Sequence, residues 1–448
     1  MLQLERLLSG CAAAILLSAL CVAKAAGPAW DAPARVSGWV SGRTDGRLLI
    51  SAESRGRYER RTGQAFGNEL DLSATLYRNR LSVSVTPARW LKLSGAVQDS
   101  RAPGYGANAP SSARDQADLL EGYLELFSNR KQGFGMTAGR MLLAYGETRL
   151  IASSQWGNVI RGFDGVRTSW RSNRATLEAL WFSPVKARVG EFNRPVPGER
   201  LWGTYNVFPN LFGTHLAEAY VLRHDQNAPA GFTGGNRAAG TDRLGITTLG
   251  GRLAGPLPHG LEYSLEGVLQ RGKVESASQR GAAWFSALSR RWMVSGKPLD
   301  LTGEYKYASG TRDPEDATRA GTFDALFPSA HDKFGHMDLF GWRNIHSAQS
   351  VVTFGVSAAF SVNFMYNSWW LASARDALYS SAGRALARSA DGSAGRHIGQ
   401  ETDVFATYRY RRFTFGAGYG RLFKGEFIRK ATPGVEPTYL YVFHTYTM

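Results

Sequence analysis

Cysteine is almost missing from this sequence: its 448 residues contain two, Cys11 and Cys21, both within the first 25 positions. The remaining chain therefore has no disulfide framework and no thiolate zinc or iron-sulfur site. Long apolar runs are missing as well. No stretch beyond the N-terminus approaches the roughly 20 apolar residues that one spanning helix needs, which excludes a polytopic helical membrane protein. Mean hydropathy is correspondingly low, at -0.26. Charge is sparse at 20% of residues, and acids are the scarcer sign, 37 Asp+Glu against 53 Lys+Arg, for a formal net charge of +16. Disorder is excluded by the 43% hydrophobic and 12% aromatic content, enough to bury a large core. A soluble globular protein remains, or a transmembrane β-barrel, whose apolar residues alternate with polar ones and so leave mean hydropathy low. The composition favours the barrel.

What is present at the N-terminus reads as an export signal over residues 1–25. Arg6 precedes an apolar run from Leu7 to Ala23, and Ala23-Lys24-Ala25 offers a small-x-small cleavage site, so the mature chain is expected to start near Ala26. Leu8-Ser9-Gly10-Cys11 has the letters of a lipidation site, but almost no hydrophobic segment precedes that cysteine. Loss of Glu5, Arg6 and Lys24 with the signal leaves a net charge of +15.

Period-two alternation runs through residues 26–448, expected to form one domain. Leu261, Tyr263, Leu265 and Leu269 share one face opposite Glu262, Ser264 and Glu266; Leu299, Leu301, Tyr305 and Tyr307 oppose Asp300, Thr302, Glu304 and Lys306. Tyr77, Leu81, Val83 and Val85 oppose Arg78, Arg80, Ser82 and Ser84, and Val404, Ala406, Tyr408 and Tyr410 oppose Asp403, Thr407, Arg409 and Arg411. A soluble sandwich also alternates, so the connections decide. Eight are short, near 87–90, 128–133, 171–174, 209–214, 255–260, 293–298, 359–360 and 411–412. Nine are long, polar and rich in Gly and Ser: 58–73, 101–117, 141–162, 183–199, 224–242, 271–281, 309–349, 371–400 and 422–438. Short turns at one end and long loops at the other predict an all-β, antiparallel, up-and-down transmembrane barrel of about 18 strands, with long extracellular loops and short periplasmic turns, in a Gram-negative outer membrane. The end of the chain agrees: Met448, Tyr446, Val442 and Leu440 alternate like an outer-membrane assembly signal, with Met448 in place of the terminal aromatic and His444 interrupting the apolar face.

Several segments carry a family resemblance. They are Trp90–Arg101, Gly139–Gly146 followed by Asn158–Arg167, Phe323–Pro328 continuing through His331, Lys333, Phe334-Gly335 and Asp338–Trp342, Gly399–Asp403, and Gly418–Gly425. As an ordered set reaching from about Arg55 to Met448, they resemble the alginate export porins of Gram-negative outer membranes. The resemblance implies a monomeric barrel of 18 strands with a basic constriction that passes an anionic polyuronate, loops and a periplasmic turn acting as gates, and no cofactor. Directed export implies a periplasmic partner delivering the polymer, and folding implies the outer-membrane assembly machinery and a belt of outer-membrane lipid. At residues 413–421, where that family carries lumen arginines, this chain has Gly416, Ala417, Gly418 and Tyr419, with Arg421 at the end, a departure that weakens alginate itself as the substrate.

The basic residues carry the expected chemistry. Arg55, Arg57, Arg78, Arg80, Lys92, Arg167, Lys306, Arg409 and Arg411 fall on the polar face of their strands, and rings of Arg or Lys favour anions in a narrow pore. Arg57, Arg78, Arg80 and Arg409 are expected at the constriction; Arg140, Lys333, Arg343 and Arg421 lie in the family-like motifs without a clear parity. Glu53, Glu121, Glu125, Glu178, Glu262, Glu266, Glu304 and Asp403 share the polar face and will neutralise part of the charge. Nucleic acid is not an expected partner, because the arginines are dispersed over strands instead of forming one compact patch. Gly267–Lys273 misses a phosphate-binding loop, with Val274 where Ser or Thr is required. The eight histidines include no HExxH pair, and His331 and His336, five apart, suit a loop folded into the lumen better than a metal site. An anion-conducting channel is thus expected, and no catalytic residues are assigned. A lipid-modifying outer-membrane enzyme and a general or small-organic-acid uptake porin are the alternatives. The 311–347 loop, with Phe323, Phe327, Phe334, Phe340 and Trp342, is expected to pack in or over the pore, and 371–388 to contain a short helix.

Overall fold

The computed structural model describes residues 32–106, 112–129, 132–227, 243–331 and 333–448. The expected signal segment lies outside them. Eighteen antiparallel strands close into a barrel. They are β1 Leu48–Thr62, β2 Leu72–Ala88, β3 Leu91–Arg101, β4 Asp115–Phe127, β5 Gly133–Met141, β6 Phe163–Arg171, β7 Thr176–Lys186, β8 Glu199–Leu211 and β9 His215–Asn227. The second half comprises β10 Arg243–Leu257, β11 Leu261–Val274, β12 Ala277–Val294, β13 Lys297–Ala308, β14 Ile345–Gly355, β15 Phe360–Leu371, β16 His397–Tyr410, β17 Phe413–Lys424 and β18 Thr438–Thr447. Each strand pairs with its sequence neighbour. β18 returns to β1, with Gly56 opposite His444 and Tyr58 opposite Val442, so the sheet has no free edge.

All eight short connections appear where expected, and the turn between β12 and β13 shows why. Ser295 and Gly296 both adopt positive φ, 50° and 75°, the twist that a two-residue hairpin turn requires. Two expectations need correction. Residues 271–281 do not form a long loop: Lys273 pairs with Ser278, and only Glu275 and Ser276 turn the chain. Residues 371–388 hold no helix; Leu378–Tyr379 and Ala385–Ala387 form a small hairpin, with Gly383 at φ 78°.

The outward face is apolar, as a lipid-exposed wall must be: Leu81, Val83, Val97, Leu249, Leu269, Leu301, Phe364 and Val404 are exposed there. Trp90, Phe134, Trp170, Phe212 and Trp292 mark the short-turn end, and Trp181, Trp202, Trp284 and Phe423 lie toward the long loops. The buried core sits inside the barrel. The 142–162 and 309–344 loops turn inward and are stitched together where Ala152 N–H donates to Phe327 O (2.8 Å) and Phe327 N–H to Leu150 O (2.8 Å). Phe163, Phe182, Phe323, Phe327, Phe334, Phe340, Trp342 and Trp369 are fully buried around that seam. Burial of this apolar surface, worth about 1.5–3 kcal/mol per large side chain, holds both loops in. Helix α1, Ala32–Arg43, precedes β1, and α2, Glu426–Ala431, buries Phe427 and Ile428 beside β16.

Candidate functional site

Strand geometry sets the basic wall. Arg55, Arg57, Glu59 and Arg61 alternate onto the inward face of β1, and Arg78 and Arg80 onto that of β2. Arg55 and Arg78 are direct cross-strand partners, an arrangement of like charges that opposes pairing unless something else satisfies them. The infolded segment 155–158 does so. Gln155 O accepts from Arg78 (2.8 Å) and Arg55 (3.2 Å), Gly157 O from the same two guanidinium groups (2.7 and 2.9 Å), and Trp156 O from Arg57 (2.8 Å). Arg80 donates to the Gln155 side-chain oxygen at 2.9 Å.

Trp156 fixes the centre of this contact. Its ring lies 4.2 Å from the Arg57 guanidinium carbon, stacks on His331 at 4.0 Å and 1°, and meets the edges of Tyr441 and Phe443. Asn158 is the anchor beyond it, its amide donating to the carbonyls of Tyr77, Arg101 and Ala113 at 3.2, 3.1 and 2.8 Å. Carboxylates also reach this wall, with Asp338 of the infolded 309–344 loop near Arg61 and bound to His331, and Glu121 of β4 near Arg80. Glu53 binds Arg78 at 2.6 Å and lies 3.8 Å from Arg80; Glu59 lies 3.4 Å from Arg57 and 3.8 Å from Arg61 and accepts from Tyr439 at 3.0 Å. The inward faces of β1 and β2 thus carry five guanidinium groups against two carboxylates.

Half a circumference away the acids are better matched. Glu218 binds Arg252 at 2.7 Å and Tyr205 at 3.0 Å, and Glu266 binds Arg149 at 3.0 Å and Tyr220 at 2.9 Å. Nearer the long loops, Asp324 of the infolded 309–344 loop accepts from Arg343 at 2.6 Å and meets His224 at 2.9 Å. Burial pushes the Asp324 carboxyl upward, but Arg343 and His224 outweigh it and hold it down at about 2. Glu218 and Glu266 are thus paired one to one with arginines, whereas the inward faces of β1 and β2 carry more guanidinium groups than carboxylates.

The anticipated basic residues divide by position. Arg57, Arg78 and Arg80 come together on the wall just described. Arg167 faces inward on β6 beside Tyr145 and Glu178. Arg140 is buried in a two-pronged pair with Asp164 (2.7 and 3.0 Å) and also donates to Leu119 O and Asn193 O. Arg343 is buried on Asp324, and Lys333 sits in the same infolded loop within electrostatic reach of Lys306. Arg409 has inward parity but is exposed next to the short turn at 411–412, away from the segment that the other arginines grip. Arg421 shares the outward parity of Tyr419 and Phe423 and pairs with Glu436 at 2.6 Å, outside the lumen. Gln155, Trp156, Glu59 and Arg61 were not anticipated. A lone tryptophan in the polar run Ser153-Ser-Gln-Trp-Gly157 is the one sequence signal that could have singled out the first two.

The alginate export family model matches residues 47–442, nearly all of the barrel. The chain belongs to the alginate export family. Solved structures agree on the fold. Pseudomonas aeruginosa OccD3 (OpdP) aligns over 90% of this chain and 91% of its own, with 15% identity and a TM-score of 0.57. OpdK of the same organism, solved with vanillate, aligns over 90% and 98%, with 10% identity and a TM-score of 0.61, and Acinetobacter baumannii OccAB4 over 90% and 98%, with 10% identity and a TM-score of 0.58. At such identities the likeness establishes the closed β-barrel fold and nothing finer. No curated protein sequence matches significantly.

Proposed function

We propose that this alginate-export-family barrel is an anion-preferring outer-membrane channel for carboxylate-bearing saccharides, passing them along the arginine wall of β1 and β2. The observation that carries the reading is the excess of five guanidinium groups over two carboxylates on that wall, held by protein carbonyls. Guanidinium groups bind carboxylates in planar, charge-assisted pairs, and sugar hydroxyls suit the tyrosine and carboxylate wall opposite. Family membership supports a polyuronate as the extended cargo, with outward movement driven by a periplasmic partner and the barrel itself passive and without a cofactor. The departure at 413–421 favours a uronate other than alginate. In proteoliposomes the channel should admit glucuronate several-fold faster than glucose, a comparison that holds ring size constant. Equal rates would refute it.

Uptake of small organic acids is the second reading. It is favoured by the two loops folded into the barrel and by OpdK, whose structure was solved with vanillate. Faster entry of benzoate-type acids than of glucuronate, with oligouronates excluded, would establish it in place of the first.

A further inference from the structure

In the 155–157 segment, main-chain carbonyl oxygens occupy the positions that a ligand's carboxylate oxygens would take. Arg55 and Arg78 each donate to two of these carbonyls and Arg57 to the third. Arg55 has no carboxylate within ion-pair distance among the described residues, and the Nε atoms of Arg55 and Arg80 are buried there without a hydrogen-bond partner. The site is thus charged, desolvated and only partly satisfied. The segment is also held unevenly. Asn158 and the Phe327 seam fix its two ends, whereas residues 154–157 are held by the guanidinium groups, the Trp156 stack and one serine pair, Ser154 and Ser329, with Oγ atoms 3.4 Å apart.

We infer that residues 154–157 are a displaceable latch: a carboxylate-bearing sugar binds Arg55, Arg57 and Arg78 by replacing the carbonyls of Gln155, Trp156 and Gly157, and the released segment opens the lumen. This rests on the anionic-saccharide reading and adds how the cargo gates its own passage. The exchange is favourable because a carboxylate brings a full negative charge and a planar two-pronged fit that a neutral carbonyl does not offer the same guanidinium, and because it can also satisfy an idle Nε. The freed carbonyls are not stranded, since they turn toward a hydrated lumen. Trp156 then leaves a position over Arg57 and against His331 that a sugar ring can fill, as aromatic and guanidinium faces both accept the flat face of a pyranose. A neutral sugar cannot drive the exchange. It offers the guanidinium groups no better acceptor than the carbonyls they already hold.

The serine pair provides the test, because residues 26–448 contain no cysteine to interfere. In planar bilayers, S154C/S329C channels are compared oxidised and reduced, with chloride current recorded before and after glucuronate, or glucose, is added on the short-turn side, from which outward cargo would enter. Wild-type and reduced channels should show a several-fold rise in open-state occupancy with glucuronate and none with glucose, and the oxidised pair should lose that rise and regain it with dithiothreitol. Glucuronate that acts alike on oxidised and reduced channels, or only blocks current in both, overturns the latch, even where glucuronate permeates and the anion reading stands. A cation-selective wild-type channel overturns both together. Trp156→Ala checks the same point without a disulfide: open-state occupancy should rise in the absence of any sugar, and an unchanged value counts against the latch.

Discussion

Replacing Arg80 by Glu and Arg61 by Gln should abolish the charge selectivity of the channel while leaving the barrel intact. These are the least buried of the five arginines on the wall, with side chains about one-fifth exposed, so they contribute to the field with the smallest part in holding the loop. The wall carries Arg55, Arg57, Arg61, Arg78 and Arg80 against Glu53 and Glu59, a net excess of three positive charges, and the double change brings that excess to zero. For an ion passing at about 10 Å in a watery lumen, three charges give about 1.2 kcal/mol before screening. With Debye lengths of about 30, 8 and 3 Å at 0.01, 0.15 and 1 M salt, anions should permeate about 20-fold better than cations at the lowest salt, about 3-fold better at 0.15 M and about equally at 1 M. The assay is the reversal potential under a tenfold salt gradient, for which ideal selectivity gives about 60 mV. Wild-type readings should fall toward zero as mean salt rises, and the double variant should stay near zero throughout. Selectivity that does not depend on salt, or a variant with undiminished anion preference, would show that the field arises elsewhere.

The barrel was readable because its determinants are local. Alternation places a residue inside or outside, and a pair such as Ser295-Gly296 turns the chain without reference to anything distant. Arg55, Arg57, Arg78 and Arg80 were accordingly assigned to the inner face from sequence parity, and they occupy it. Parity gives the side of the wall but not the depth, which is why Arg409 shares the correct face yet lies at the short-turn mouth. Arg421 carries an outward signal in its own neighbours, since Tyr419, Arg421 and Phe423 alternate on one face. The long loop expected at 271–281 is absent because the ladder from Lys273 to Ser278 overrides the turn-forming preference of Gly272, Ser276 and Ser278. The helix expected within 371–388 fails on Gly383, whose positive φ folds the segment back on itself. Least legible was the contact that matters most. Arg55 meets Gly157 across 102 positions, and no local pattern announces which loop enters a barrel or which carbonyls it presents.

Three further outcomes test the architecture and its internal ties. Leu301→Arg, an outward residue on β13, should impair assembly by about 2–4 kcal/mol if it lies near the bilayer midplane, seen as loss of the heat-modifiable folded band on gels; normal folding would place that strand's outer face away from lipid. Asn158→Ala removes three amide-to-carbonyl bonds, each worth about 0.5–1.5 kcal/mol, so residues 153–161 should exchange amide hydrogens at least tenfold faster while β1 and β2 stay protected; unchanged exchange would mean that the arginines alone secure the segment. The last outcome follows from Asp324, whose carboxyl is held at about 2 although burial opposes the charged form. A carboxyl depressed in the folded state adds stability that is fully present above its unfolded value near 4 and is lost as pH falls through its folded value near 2. Protection of the 309–344 loop should therefore decline between about pH 4 and pH 2, as the protonated acid loses its pair with Arg343 and its contact with His224. In Asp324→Asn, protection should start lower at neutral pH and lose this dependence, because the asparagine carries no proton to gain and removes the negative charge that Arg343 and His224 both meet. If the variant keeps the wild-type decline, another carboxylate sets the acid sensitivity of the loop, and the Arg343–Asp324–His224 tie does not govern its docking.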